Sequence, residues 1–230
     1  IVIPIEKSSG HKLSKDMYSP IDMPPFRQSS MDGYALNLHE SLTYKLIGEI
    51  KAGDDFHPVL KKGEAVRIFT GAAVPDSANT VIMQEKVKVN TNTIVIESQM
   101  AYHLNIRDVG EQVKKGELAL AKWTKLTPAA IGYLSSLGIE TVPVYKKPNI
   151  ALIITGNELI EAGEQLTYGK IYESNSKMLL SALNSLNFYD VSIHKVEDEY
   201  HITHSKLQDV IKSHDLIIIT GGISVGDYDF

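Results

Sequence analysis

The chain has no cysteine among its 230 residues. It therefore forms no disulfide, holds no zinc on thiolates and has no thiolate nucleophile. It is also poor in arginine: of 23 basic residues only Arg27, Arg67 and Arg107 are arginine, and the rest are lysine. A guanidinium offers a rigid fork to carboxylate or phosphate where an ammonium offers a solvated point charge. Each of the three is thus either a candidate anion clamp or half of a structural ion pair. No apolar run is long enough to cross a bilayer, and no signal-peptide pattern is visible. The formal net charge of −5 disfavours a nucleic-acid partner. The expectation is a cytoplasmic protein with no nucleic-acid and no membrane partner.

What is present is an ordinary globular composition, 43% apolar and 22% charged, with ample core for one large or two smaller domains. Two segments end an apolar run in the same way. Asn149–Ile154 runs into Thr155-Gly156-Asn157-Glu158, and Leu216–Ile219 runs into Thr220-Gly221-Gly222. Apolar runs without polar alternation read as strands covered on both faces, hence a parallel sheet. In open α/β sheets ligands meet the carboxyl ends of such strands. Between them, Asn175 can cap a helix carrying Met178, Leu179, Leu183 and Leu186 on one face. Val191–Val196 reads as a strand, and Ile202–Ser213 as a helix with Leu207, Val210 and Ile211 at helical spacing. This alternation predicts right-handed βαβ units.

The earlier part differs. Ser19–Phe26 is proline-rich and extended, a linker into a new unit. Tyr44–Ile50, Ala65–Phe69, Thr80–Gln84, Val87–Val89 and Thr93–Glu97 are short, rich in Val, Ile and Thr, and punctuated by turns, with Asn90-Thr91-Asn92 a hairpin tip. Such spacing suggests a barrel or sandwich. Leu126–Leu134 then reads as a helix with Thr127 as N-cap, Pro128 at the first helical position and Gly138 as its stop, followed by a strand over Glu140–Tyr145. The chain stops at Asp229-Phe230, just past a glycine turn where a helix is due, which suggests that more chain follows.

Several constellations bear on chemistry. Gly221-Gly222-Ile223-Ser224-Val225-Gly226-Asp227 can hold an anion on freed amides, or be a tight turn without a ligand. It is neither a P-loop nor the dinucleotide fingerprint. Glu158, Asp198, Asp227 and Asp229 all fall at predicted strand ends on one rim, which suits a hard cation such as magnesium or acid–base work; any one of them alone is equally a solvated loop acid. Asp32-Gly33 could be only a turn, and Arg67-Ile68-Phe69-Thr70-Gly71 repeats the strand–Thr–Gly ending. His201 and His204 have a spacing that could bind metal, but read better as a polar helix start.

In order, the chain carries Pro-Pro-Phe-Arg-x-Ser-x-Met-Asp-Gly-Tyr-Ala from Pro24, Arg-Ile-x-Thr-Gly-Ala-x-Val-Pro from Arg67, and Asn-Ile-Arg-x-x-Gly-Glu from Asn105. Thr-Gly-x-Glu-Leu from Thr155, Ser-Asn at Ser174, and Gly-Gly-Ile-Ser-Val-Gly-Asp-Tyr-Asp from Gly221 follow. From about Met23 to the last residue this resembles the molybdopterin molybdenumtransferases: the bacterial MoeA proteins and the related plant and gephyrin E domains. The resemblance implies a multidomain α/β plus β fold. Its parts would be a Rossmann-like parallel α/β molybdopterin-binding domain over 146–230, cut short at its C-terminal end, a small all-β domain over 23–109, and an elongated linking domain from 1–22 and 110–145.

It also implies a transferase of molybdenum cofactor biosynthesis. Such an enzyme inserts molybdate, a co-substrate, into adenylylated molybdopterin with release of AMP, assisted by Mg2+, and works as a homodimer. By the same resemblance Asp32, Glu158, Asp198 and Asp229 would be catalytic, and Glu158, Asp227 and Asp229 would hold the metal. Thr70, Arg107, Thr155, Gly156, Asn175, Gly221, Gly222 and Ser224 would bind substrate. Asn157 and Gln112 stand where the family usually has Asp, each removing a charge. The alternatives are a catalytically weak scaffold on the same fold, or a CinA-type nucleotide-processing domain, which shares the Thr-Gly-x-Glu-Leu and Gly-Gly elements. The Arg27–Arg107 block and Ser-Val-Gly-Asp-Tyr-Asp argue against the latter.

Overall fold

The computed structural model describes residues 1–221; the expectations placed on Gly222, Ser224, Asp227 and Asp229 lie outside the described residues. The chain divides into two compact units, one of Val2–Val144 and one of Tyr145–Phe230 with Ile1.

The first unit is built on strands β1 (Gly33–Leu36), β2 (Thr43–Ile50), β3 (Glu64–Ile68), β4 (Thr80–Met83), β5 (Val87–Asn90) and β6 (Thr93–Ile96). They form one open sheet in the order β4-β1-β3-β2-β6-β5. The β2–β3 pair is parallel and the others antiparallel. Side chains alternate across it. Ala35, Val66, Ile68 and Val81 enter a core on one face, while Tyr34, Leu36, Ala65 and Ile82 enter a second core on the other. The barrel-or-sandwich expectation thus resolves to a single mixed sheet with apolar packing on both faces. The expected hairpin is present, with Asn90 opposite Thr93.

Strand β1 is the element the sequence hid, because Asp32-Gly33 reads equally as a turn. Gly33 starts the strand for a steric reason: a Cβ there would lie 1.8 Å from the Ile82 carbonyl oxygen.

A third core in this unit joins Ile5 and Leu13 to Leu126, Leu134, Val142 and Val144, and Val2–Pro4 pairs with Thr141–Pro143. Helix α1 (Pro128–Ser136) has the expected ends. Thr127 Oγ1 accepts from the Ala130 amide at 3.3 Å. Gly138, at φ +78°, closes the helix, with its amide on the Ser135 carbonyl (3.0 Å) and that of Ile139 on the Leu134 carbonyl (3.2 Å).

The second unit alternates β7 (Ile150–Thr155), α2 (Asn175–Ser185), β8 (Val191–Val196), α3 (Tyr200–Val210) and β9 (Leu216–Thr220). The three strands are parallel in the order β8-β7-β9. Every residue of β7 is buried. Strand β9 is less covered than its apolar run predicts, with Leu216 exposed, because among the described residues it pairs on one side only.

The α2 expectation needs correction. Asn175 is its first residue rather than its cap. Leu179 and Leu183 pack on β7, whereas Met178 and Leu186 are exposed, as is Ile211 after α3. The helix is anchored through a narrower apolar stripe than its sequence offers.

Candidate active site

In the second unit the two Thr-Gly strand ends abut. Thr155 Oγ1 donates to the Thr220 carbonyl at 3.1 Å. Gly221, at φ +94°, lies so close that a Cβ would stand 2.3 Å from Thr155 Oγ1. Only glycine fits that position. Gly156, at φ +146°, is covered in turn by Glu158, whose two carboxylate oxygens would each be 2.9 Å from a Cβ at Gly156. The Glu158 side chain is exposed and makes no hydrogen bond or ion pair among the described residues.

Asn157 joins two strand ends. Its Oδ1 accepts from the backbone amide of Asp198 at 3.1 Å, and its carbonyl accepts from Lys170 Nζ at 2.6 Å. The exposed acids Glu158 and Asp198 therefore sit on loops tied together at the carboxyl rim of the sheet. Beside them opens a cleft of 460 Å³, with Ile154 and Leu159 as apolar lining and Gly156, Asn157, Lys170 and Lys195 as polar lining.

Three residues at this cleft were not legible as site residues. Glu173 is buried and caps α2, accepting from the Ser176 amide (2.7 Å) and the Ser176 hydroxyl (2.5 Å). Burial pushes its carboxyl up, but the Ser176 donors and the charges of Lys195 and Lys177 outweigh that and hold it below the usual glutamate value. An acid three residues ahead of Ser176 was the available signal, obscured by Ser174 and Asn175, the more usual capping types. Lys195 is ion-paired with Glu161, and its hydrogen bond holds the Glu161 carboxyl low. Lys170 lies in a loop without periodicity. Asn175 is exposed at the start of α2.

In the first unit Asp32 and Thr70 are brought together. Asp32 Oδ1 accepts from the Thr70 amide (2.8 Å) and the Thr70 hydroxyl (2.7 Å). These two bonds, then the positive charge of Arg67, hold this exposed carboxyl below its ordinary value. The three arginines separate by role. Arg27 donates to the carbonyls of Pro75, Asp76 and Ala78, which makes it a loop anchor. Arg67 donates to the Gly33 carbonyl (2.9 Å) and to Gln84 Oε1 (2.5 Å), with its guanidinium carbon 5.0 Å and 4.8 Å from the Tyr34 and Phe69 ring centres. The Arg107 side chain is exposed and carries no hydrogen bond or ion pair among the described residues. It lines a 280 Å³ cleft with Gln28 and Gln112, and Gln28 Nε2 donates to the carbonyl of Gly71, next to Thr70.

Among the described residues no three His, Asp or Glu side chains gather as a metal centre. His201 and His204 pack against the Tyr200 ring.

A parallel α/β unit with Thr-Gly strand ends, joined in sequence to a mixed-sheet unit, defines a multidomain α/β plus β protein. Two family descriptions match it: "MoeA N-terminal region (domain I and II)" over residues 1–138 and "Probable molybdopterin binding domain" over 151–230. The chain belongs to the MoeA family. It is 35% identical, over 98% of its length, to a molybdopterin molybdenumtransferase of Haemophilus influenzae, and 34% identical over 100% to one of Staphylococcus aureus. The chain spans 57% of the length of each of these relatives. Two crystal structures of a molybdopterin biosynthesis MoeA protein of Pyrococcus horikoshii superpose on 96% of this chain. Their TM-scores are 0.86 and 0.80, at 34% and 33% identity, and the matches cover 61% and 59% of those chains.

Proposed function

We propose that this chain is part of a molybdopterin molybdenumtransferase, which inserts molybdate into adenylylated molybdopterin and releases AMP. The observation that carries this reading is the junction of Thr155, Gly156 and Gly221 with the Asn157–Asp198 tie, which presents the Thr155 hydroxyl, backbone and two carboxylates without partners among the described residues at one strand-end rim. It lies in a region that matches a molybdopterin-binding family.

In this reading the pterin phosphate meets Thr155, Gly156 and Gly221, with Asn175 and, outside the described residues, Gly222 and Ser224 as further binding groups. Anions are held by amides, hydroxyls or cations, and Lys170 and Lys195 are the cations that line the cleft. Asp32, kept ionised by Thr70, and Arg107, whose side chain has no partner among the described residues, would be substrate-orienting groups of the first unit. The dithiolene sulfurs come from the substrate, consistent with a protein that has no cysteine. Magnesium would be held by Glu158 with Asp227 and Asp229. Glu158 is an exposed carboxylate with no competing partner among the described residues, which fits a hard cation. Bound there, the cation would neutralise phosphoryl charge. The working form would be a cytoplasmic homodimer. The first unit would comprise a linking part (1–22 and 110–145), which has its own core around Leu126 and Leu134, and a β part (23–109).

The test is AMP release by the full-length protein given adenylylated molybdopterin, magnesium and molybdate. Molybdate-dependent AMP is expected, with turnover lost in Glu158→Ala while the dimer persists. Absence of molybdate-dependent AMP would remove the assignment, and wild-type rates in Glu158→Ala would relocate the site.

A further inference from the structure

The two lysines at the 460 Å³ cleft are engaged differently. Lys170 Nζ donates to a neutral acceptor, the Asn157 carbonyl, and pairs with no carboxylate among the described residues. Lys195 is paired with the Glu161 carboxylate, and the two side chains are 45% and 42% exposed. Lys195 sits opposite Ile154 in the β8–β7 register, near the carboxyl end of the sheet, where a ligand enters. Of the other acids bordering the cleft, Glu173 is turned to Ser176, and Glu197 pairs with neither lysine among the described residues.

We propose that Lys195 reads the charge of the ligand, exchanging Glu161 for a phosphoryl oxygen, and that Glu161 is an internal competitor for that cation. The inference rests on the reading that this cleft receives a phosphorylated pterin nucleotide. An exposed lysine–carboxylate pair is weak, because water screens it and two long side chains must be held in place. A phosphoryl group in a cleft that already holds the Lys170 charge makes stronger, charge-assisted hydrogen bonds. The exchange is therefore downhill for a phosphorylated ligand and uphill for a neutral one, which leaves Lys195 with its own carboxylate. Uncharged pterins are rejected without any steric barrier.

The phosphoryl group has two sources in the ligand, the phosphate of the pterin and that of the adenylyl group. Calorimetric titration of the full-length protein with molybdopterin and, separately, with AMP distinguishes them. Lys195→Gln should weaken one of the two about tenfold, as expected for a lost charge-assisted bond. Glu161→Gln should tighten that same ligand about threefold, because the competitor is gone. Opposite shifts on one ligand are not produced by a merely structural ion pair, whose loss moves both variants the same way. Shifts of the same sign, or none, overturn the role of Lys195. A wild-type protein that binds neither molybdopterin nor AMP overturns the functional reading itself, a result distinct from a wild type that binds while the variants do not diverge.

Discussion

Asn157 accepts the backbone amide of Asp198 through its side-chain oxygen, at 3.1 Å. An amide oxygen and a carboxylate oxygen can each accept this bond, so an aspartate here would add a charge and keep the tie. Asn157→Asp should leave stability within about 0.5 kcal/mol of wild type. Asn157→Ala should lose about 1 kcal/mol, the usual net worth of one hydrogen bond. Urea unfolding of the three proteins checks this, and equal loss in the Asp and Ala variants would show that the tie is not what Asn157 provides.

Glu173 gives the second unit a pH dependence. Its folded-state carboxyl is held below the ordinary glutamate value, because the Ser176 donors and nearby lysines outweigh the effect of burial. A depressed carboxyl contributes stability above its unfolded-state value and loses it as pH falls through the folded-state one. Glu173→Ala should cost about 1–2 kcal/mol near neutrality, the range for a lost helix cap. The gap between wild type and variant should hold down to the ordinary glutamate value and narrow on further acidification through the folded-state one. A gap that stays constant through that acidification would mean that ionised Glu173 is not the source.

The parts of the fold that were legible are those where local chemistry and tertiary packing agree. The unbroken apolar run of Ile150–Thr155 makes a fully buried strand, and Thr127, Pro128 and Gly138 bound α1 as their types dictate. Legibility failed where a long-range contact decides. Gly33–Leu36 has only one residue of strong strand preference, Tyr34, yet it is central because the sheet needs a glycine against Ile82. Met178 and Leu186 have helical spacing, but the strand beneath α2 reaches only Leu179 and Leu183. At the site, Asp32 and Thr70 are 38 residues apart and Lys195 and Glu161 are 34 apart. No spacing rule connects either pair. The first pair was named through a family resemblance, and the second was not named at all.

Gly33 permits a direct steric test. Any side chain places a Cβ 1.8 Å from the Ile82 carbonyl oxygen, a backbone atom of the adjacent strand β4. The strand cannot shift without breaking its ladders to both β3 and β4. Gly33→Ala should destabilise the first unit by more than about 3 kcal/mol, or prevent its folding. Denaturant midpoint and soluble yield report it, and a variant of wild-type stability would place β1 wrongly.

The Asp32 carboxylate takes both of its hydrogen bonds from Thr70, and these differ in what a substitution can remove. The backbone donor survives any side chain, whereas the hydroxyl is lost in Thr70→Val. The Asp32 carboxyl should therefore titrate below the ordinary aspartate range in the wild type and move part of the way back in Thr70→Val. The amide bond and the Arg67 charge still favour ionisation in that variant. Carboxyl-carbon chemical shifts followed by NMR through the acid range read this without recourse to activity. In Arg67→Lys the shift should be smaller still, since Arg67 acts on Asp32 through charge alone and a lysine retains it. That variant also loses the forked contact to Gly33 and Gln84, so its cost should fall on stability. If Thr70→Val left the Asp32 titration unchanged, the hydroxyl bond would not be holding the carboxylate, and its ionised state would have to come from the backbone amide and the Arg67 charge.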